Sequence, residues 1–135
     1  MTGETNLQKM LVSMSPVLTE GEYVFCTLKD ANYGDYSAAR PIASFSEAEG
    51  LTLVMLKSAA EVSALTYQGV FRCITLNVHS SLQAVGLTAA ISGALSEQGI
   101  SANVIAAYFH DHIFVQAEFA DKAISILSTL GAYRS

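Results

Sequence analysis

All three histidines of this 135-residue chain stand beside groups that could do chemistry with them. His79 leads into Ser80 and Ser81, and His110-Asp111-His112 form a compact run. Imidazoles two residues apart on an extended chain face the same way, which suits metal ligation. His79, His110, Asp111 and His112 therefore sketch a metal centre. No Cys or Glu-x-x-His spacing accompanies them, and a solvated polar turn explains the same residues. Nucleophilic catalysis would use Ser80 or Ser81 with an imidazole, but adjacent side chains project apart. No Gly-x-Ser-x-Gly elbow surrounds either serine, and both read as loop or N-cap residues. Asp30, Asp35, Glu47 and Glu49 sit in loops and Glu61 looks like a cap, so no carboxylate pair shares a face. Glu47-Ala48-Glu49-Gly50 either turns two carboxylates toward a ligand amine or is a solvated turn ended by its glycine. A small-ligand site made of main-chain amides and a few side chains needs none of these signatures. The residues thus point to binding without catalysis, with no metal and no cofactor.

The elements that must position these groups follow from periodicity. Leu7, Met10, Leu11 and Met14 repeat at helical spacing, with Thr5 and Gln8 as a capping box and Pro16 as the stop. Glu22–Leu28 alternates as a strand, and Lys29–Arg40 is a loop rich in turn formers. Pro41–Phe45 reads as a short edge strand and Leu51–Leu56 as a stronger one. Ser58 and Glu61 form a capping box that opens a short helix through Leu65. Val70–Val78 is a strand, and Gly86–Gln98 is a helix stopped by Gly99. Ala102–Phe109 and Ile113–Glu118 are strands around a turn at His110-Asp111-His112. Ala120, Ala123, Ile124, Leu127 and Leu130 face inward on a last helix.

The chain echoes itself. Leu7–Phe25 resembles Leu87–Ile105, and Leu51–Leu65 resembles Ile113–Leu127 at constant offset, with Leu53 over Val115 and Val62 over Ile124. The order of elements makes a tandem of two halves, 1–68 and 69–135, in an α+β, ferredoxin-like architecture of antiparallel sheets with helices on one face. Each half lacks one strand, and Val70–Val78 is placed to serve both. An open edge must be paired or covered, which leads us to expect a homodimer or higher homo-oligomer. In a split βαβ unit the loop after the first strand and the turn between the second and third lie at one end of the sheet. That rule brings His79 and His112 within side-chain reach. The helix beginning near Gly86 would aim its first amides at an anion there.

Bulk composition agrees with a binding module. Hydrophobic residues make up 51% of the chain and charged ones 14%, yet no apolar run approaches the ~20 residues of a membrane span. The net charge of −5, with no basic cluster, argues against nucleic acid and anionic membranes. The polar start at Met1 reads as having no signal peptide, so a cytoplasmic location is expected. Cys26 and Cys73 lie inside apolar strand patterns and read as buried, reduced thiols.

Four segments in order carry a resemblance: M-S-P-V-L-x-x-G-E-Y-V-F, F-S-E-A-E-G-L-T-L, I-T-L-N-V-H-S-S-L-Q-A-V-G-L-T-A-A-I and I-S-A-N-V-I-A-A-Y-F-H-D-H-I-F-V. Over nearly its whole length the chain resembles small bacterial tandem ACT-domain proteins, relatives of the cytosolic arginine sensors. The resemblance implies an ACT-like ferredoxin fold, no attached enzyme and a role in sensing an amino acid or similar metabolite. It implies a ligand site at His79, Ser80, Ser81, Val85, Gly86 and Leu87, completed by Asn103 and His112. Typical amino-acid-binding members carry an Asp-x-x-Gly loop where this chain has His79-Ser80-Ser81, so the resemblance names no ligand. The alternative is an assembly or protein-interaction domain without a physiological ligand.

Overall fold

The structure, a computed structural model, describes Lys9, residues 11–77 and residues 85–132. The Thr5–Gln8 capping box, Val78, His79, Ser80 and Ser81 lie outside the described residues. The rest falls into two compact units. One is drawn from the stretches Met1–Glu20 and Arg72–Ser135, and the other is Gly21–Phe71.

The unit Gly21–Phe71 is built on β2 (Tyr23–Leu28), β3 (Ala43–Glu47) and β4 (Gly50–Leu56), followed by α1 (Lys57–Val62). β4 lies between β3 and β2 and is antiparallel to both. Phe71 pairs with Tyr23 on the far side of β2. The order is that of a ferredoxin-like sheet in which residues 29–42, with one 3-10 turn at Ser37–Ala39, take the place of the first helix. Alternation sends Val24 and Cys26 of β2 and Leu51, Leu53 and Met55 of β4 into one core with Ala60 of α1. Pro41 has no N–H to give a ladder, so β3 begins beyond it, at Ala43 rather than at the expected Pro41. The expected Ser58 capping box does not form. Leu56 occupies the N-cap, Lys57 N–H donates to Glu22 O at 2.8 Å, and Ser58 is already inside the helix. Glu61 instead lies 3.9 Å from Lys57 Nζ and accepts a hydrogen bond from Tyr67 Oη at 3.1 Å.

The other unit is built on β5 (Phe71–Leu76, from Arg72 onward), α2 (Val85–Ser96), β6 (Asn103–Ala106), β7 (Asp111–Gln116) and α3 (Ala120–Ala132). The strand missing after α3 comes from the other end of the chain. β1 (Val17–Leu18) pairs antiparallel with Thr75 and Ile74 of β5. Thr19 reinforces it, since its N–H and Oγ1 both donate to Cys73 O, at 2.9 and 3.0 Å. The strands then run β1, β5, β7, β6, the order of a complete split βαβ unit. Helical residues precede β1 at Lys9 and 11–13, and the helix ends where Ser15 adopts φ 42 ahead of Pro16. The core lies between the sheet and its helices. Ile74, Leu76, Ile113 and Val115 meet Leu87, Ile91 and Leu95 of α2, Ala123 and Leu127 of α3, and Met14.

Both helix C-termini that the hydrogen bonds define are Schellman motifs. After α2, Ile100 N–H donates to Leu95 O and Gly99 N–H to Ser96 O, with Gly99 at φ 76. After α1, Leu65 N–H donates to Ala60 O and Ala64 N–H to Glu61 O, with Ala64 at φ 57. The echo between Leu51–Leu65 and Ile113–Leu127 corresponds to β4–α1 and β7–α3, and Leu53 and Val115 are both buried in their cores. The echo between Leu7–Phe25 and Leu87–Ile105 has no such counterpart. One segment leads into β1 and β2, the other from α2 into the edge strand β6.

The histidine turn is the main correction. Strand pairing opposes Ala106 to Asp111 and Ile105 to His112, so Asp111 and His112 belong to β7. The loop is Ala107–His110, closed by Ala107 N–H donating to His110 O at 2.9 Å. Tyr108 and Phe109, expected inside a strand, stack edge-to-face at 4.9 Å between ring centroids and stand 81% and 62% exposed at its tip. An apolar run normally signals a buried strand, but these two rings sit in the loop and stay largely exposed, in contact with each other.

Candidate functional site

One residue of the expected site, His112, lies at the C-terminal end of β5. Thr75, next to last in β5, shares a 3.0 Å hydrogen bond through Oγ1 with Nδ1 of His112, second in β7. This bond sets the end of β5 beside the β6–β7 hairpin, as split βαβ geometry requires. His112 is half-buried, and its ring centroid lies 6.2 Å from that of His110. Burial, then the His110 charge, hold the His112 imidazole below the ordinary histidine range, and the Asp111 carboxylate partly opposes them. His112 therefore favours its neutral form, a donor at one ring nitrogen and an acceptor at the other. Asp111 is only 7% exposed, and burial raises its carboxyl above the usual range while His112 pulls it down.

The predicted residues divide between the two faces of the sheet. Asn103 opposes Phe114, and Ile105 opposes His112. Asn103 and His112 are thus on one face, two residues apart along the strand pair, or about 7 Å. Asn103 Nδ2 donates to Phe114 O at 3.1 Å, which fixes its carboxamide. Leu87 is on the other side, fully buried among Ile74, Leu76, Ile113 and Val115. Its side chain is a core element, so only its main chain can meet a ligand. Val85 opens α2 and Gly86 follows it, exposed. His79, Ser80 and Ser81 fall between β5 and α2, outside the described residues. Among the described residues no group of three His, Cys, Asp or Glu side chains could hold a metal ion. Cys26 and Cys73 are buried free thiols whose pKa values are raised by burial, the opposite of an activated nucleophile.

Three hollows lie in the unit Gly21–Phe71, and two of them carry charged side chains. A polar one of about 390 Å³ sits where the loop after β2 meets the β3–β4 turn, lined by Lys29, Asp30, Asn32 and Glu47. Glu47, weighed as a ligand carboxylate, accepts a hydrogen bond from Thr52 Oγ1 at 2.6 Å and faces this hollow. The second, about 570 Å³, is lined by Tyr33, Tyr36, Arg40 and the start of β3. The available signal was two tyrosines and an arginine inside an otherwise small and polar loop. Nothing periodic marks such a constellation.

Comparison with known proteins bears on both units. A Vibrio cholerae protein of unknown function, described as a possible transport protein, is 50% identical, with 96% of this chain and 99% of that one covered at a TM-score of 0.86. An Agrobacterium tumefaciens protein superposes with a TM-score of 0.70 at 17% identity, covering 86% of this chain and 87% of that one. The ligand-free regulatory subunit of aspartate kinase from Thermus thermophilus shares the fold at 9% identity, with a TM-score of 0.63 over 91% of this chain and 99% of that one. None of the curated proteins matches the chain. Models of the ACT domain match residues 2–72 and residues 68–129, so the chain belongs to the ACT-domain family as a tandem of two such domains.

Proposed function

We propose that the protein is a non-enzymatic regulatory module that senses a small amino acid or carboxylate metabolite in the cytoplasm, its two ACT-like halves being residues 1–68 and 69–135. The ligand is held by the segment after β5 and the opening of α2, using His79, Ser80, Ser81, Val85, Gly86 and the main chain of Leu87. Asn103 and His112 complete the site, and occupancy changes how copies of the chain associate. The observation that carries this reading is the Thr75–His112 hydrogen bond. It holds a half-buried, neutral-leaning imidazole next to the end of β5, from which the chain leads on to α2. The amides at a helix start favour a carboxylate there. Family membership supports the regulatory part, since ACT domains are ligand-responsive modules. Self-association draws support from Tyr108 and Phe109, an exposed aromatic pair beside the edge strand β6.

A thermal-shift screen of the proteinogenic amino acids and common carboxylate metabolites tests the reading. A ligand at a hundredfold excess over its Kd stabilises the folded protein by about 2.7 kcal/mol, a rise in Tm on the order of 8 °C for a chain of this size. The shift should disappear in His112→Ala and in the double variant His79→Ala, Ser81→Ala. Light scattering should show a changed mass on ligand addition. No stabilising compound, or a shift that survives both variants, would refute the site and leave the assembly domain as the better description.

A further inference from the structure

Residues 29–42 replace a helix with a loop, and that loop carries Tyr33, Tyr36 and Arg40. Its path is fixed by short-range bonds. Asp35 Oδ2 accepts the Asn32 N–H at 2.7 Å, and Asp35 N–H donates to Asn32 O at 3.0 Å. The 3-10 turn closes with Arg40 N–H donating to Ser37 O at 3.0 Å, which leaves Arg40 in the left-handed region at φ 54, ψ 55. An arginine is a poor choice for that backbone, where glycine or asparagine fits better. The turn nevertheless makes Arg40 part of the wall of a cavity of about 570 Å³, together with Tyr33, Tyr36, Ser37, Ile42 and Leu53. Tyr36 is half-buried and packs on the core of its unit, making a fixed wall, whereas Tyr33 is 82% exposed and free to close over a guest.

Acidic residues outnumber lysine and arginine by 12 to 7 in this chain. Even so, no described carboxylate lies within ion-pair distance of Arg40, and Asp35, the nearest acid in sequence, is occupied with the Asn32 amide. An arginine without an ion-pair partner in the wall of an aromatic and aliphatic cavity offers a planar fork for a carboxylate, and the tyrosines offer ring faces for the body that carries it. We propose that Arg40, Tyr33 and Tyr36 form a second binding site, for a small carboxylate with a planar apolar body. The guanidinium takes the carboxylate, the tyrosine rings sandwich the body, and Ser37 Oγ offers a further hydrogen bond at the rim.

Benzoate is the probe. Titrated into the full chain and followed by NMR, it should shift the ring resonances of Tyr33 and Tyr36 saturably. Benzamide, which has the same shape but no charge, and inorganic phosphate, which has charge but no apolar body, should each bind at least tenfold more weakly. Arg40→Gly should also weaken benzoate at least tenfold. It should keep or raise Tm, because glycine accepts φ 54 without strain, so lost binding would not be lost folding. Tyr33→Ala, at an exposed position, should weaken benzoate several-fold with Tm unchanged. Equal affinity for benzamide or phosphate would overturn the proposal, as would unchanged benzoate binding in Arg40→Gly. Benzoate that moves the His112 resonances and leaves Tyr33 and Tyr36 still would also overturn it, while favouring the site at the end of β5.

Discussion

Ala64→Gly should stabilise the protein and Gly99→Ala should destabilise it, by similar amounts. Both residues close Schellman motifs, at φ 57 and φ 76. For an L-residue the left-handed conformation costs about 1–2 kcal/mol through the approach of Cβ to the carbonyl oxygen. Glycine avoids that cost but loses roughly 0.5–1 kcal/mol more backbone entropy on folding. The difference favours glycine by about 0.5–1 kcal/mol at either position. Packing does not disturb the estimate. Ala64 is exposed, so its methyl buries little, and a Cβ added at Gly99 meets no atom within 4 Å. Urea unfolding followed by circular dichroism should move the midpoint up for Ala64→Gly and down for Gly99→Ala with an unchanged slope, and Tm should shift by roughly 2–4 °C in each direction. A loss of stability in Ala64→Gly, or none in Gly99→Ala, would refute the assignment of both residues to left-handed caps.

Two further pairs of perturbations follow. In Gly131→Ala the new Cβ would stand 2.8 Å from Leu11 O, a main-chain atom that cannot swing aside; we expect a loss of about 1–3 kcal/mol, whereas Gly93→Ala, with open space around it and the same helical setting, should gain about 0.5–1 kcal/mol, both read from urea midpoints. Because the folded state holds the His112 pKa below 6.5, the unfolded chain binds more protons in that window, and stability should fall as pH drops below about 6.5; His112→Gln should shrink the difference in Tm between pH 7 and pH 5, and an unchanged difference would show that this imidazole carries none of it.

Much of the fold was legible because burial imprints a period. Leu53 and Val115, 62 positions apart by their numbers, anchor the same strand in their respective units, and the offset between them could be read directly from the sequence. Gly99 announced its cap through residue type. Ala64 did not, since nothing about an alanine marks a left-handed bond pattern. A two-residue strand has no period, so β1 is invisible in the sequence, although it supplies a strand that the second half lacks. Register misled at the hairpin because Tyr108 and Phe109 are apolar yet exposed in the loop, and alternation alone cannot tell that from burial. The face of the sheet that each site residue occupies depends on that register. Leu87 and His112 looked like neighbours for this reason, although one side chain packs beneath the helices and the other opens on the opposite side. Arg40 escaped notice because its meaning lies in a backbone angle and in the carboxylates that stay away from it.

The pairing of β1 with β5 sets an order of events during synthesis. Thr19 donates to Cys73 across 54 residues of chain, so at elongation rates of roughly 5–20 residues per second β1 has no partner for several seconds. The stretch Gly21–Phe71 is complete before that partner is made, and it holds every strand pairing of β2, β3 and β4. β1 and the helical residues before it are synthesised ahead of Gly21–Phe71 and are satisfied after it. Val17 and Leu18 must therefore stay unpaired without aggregating, and a strand of two residues is too short to recruit a stray edge in the interval. The brevity that hides β1 from sequence patterns also leaves little open edge on the nascent chain.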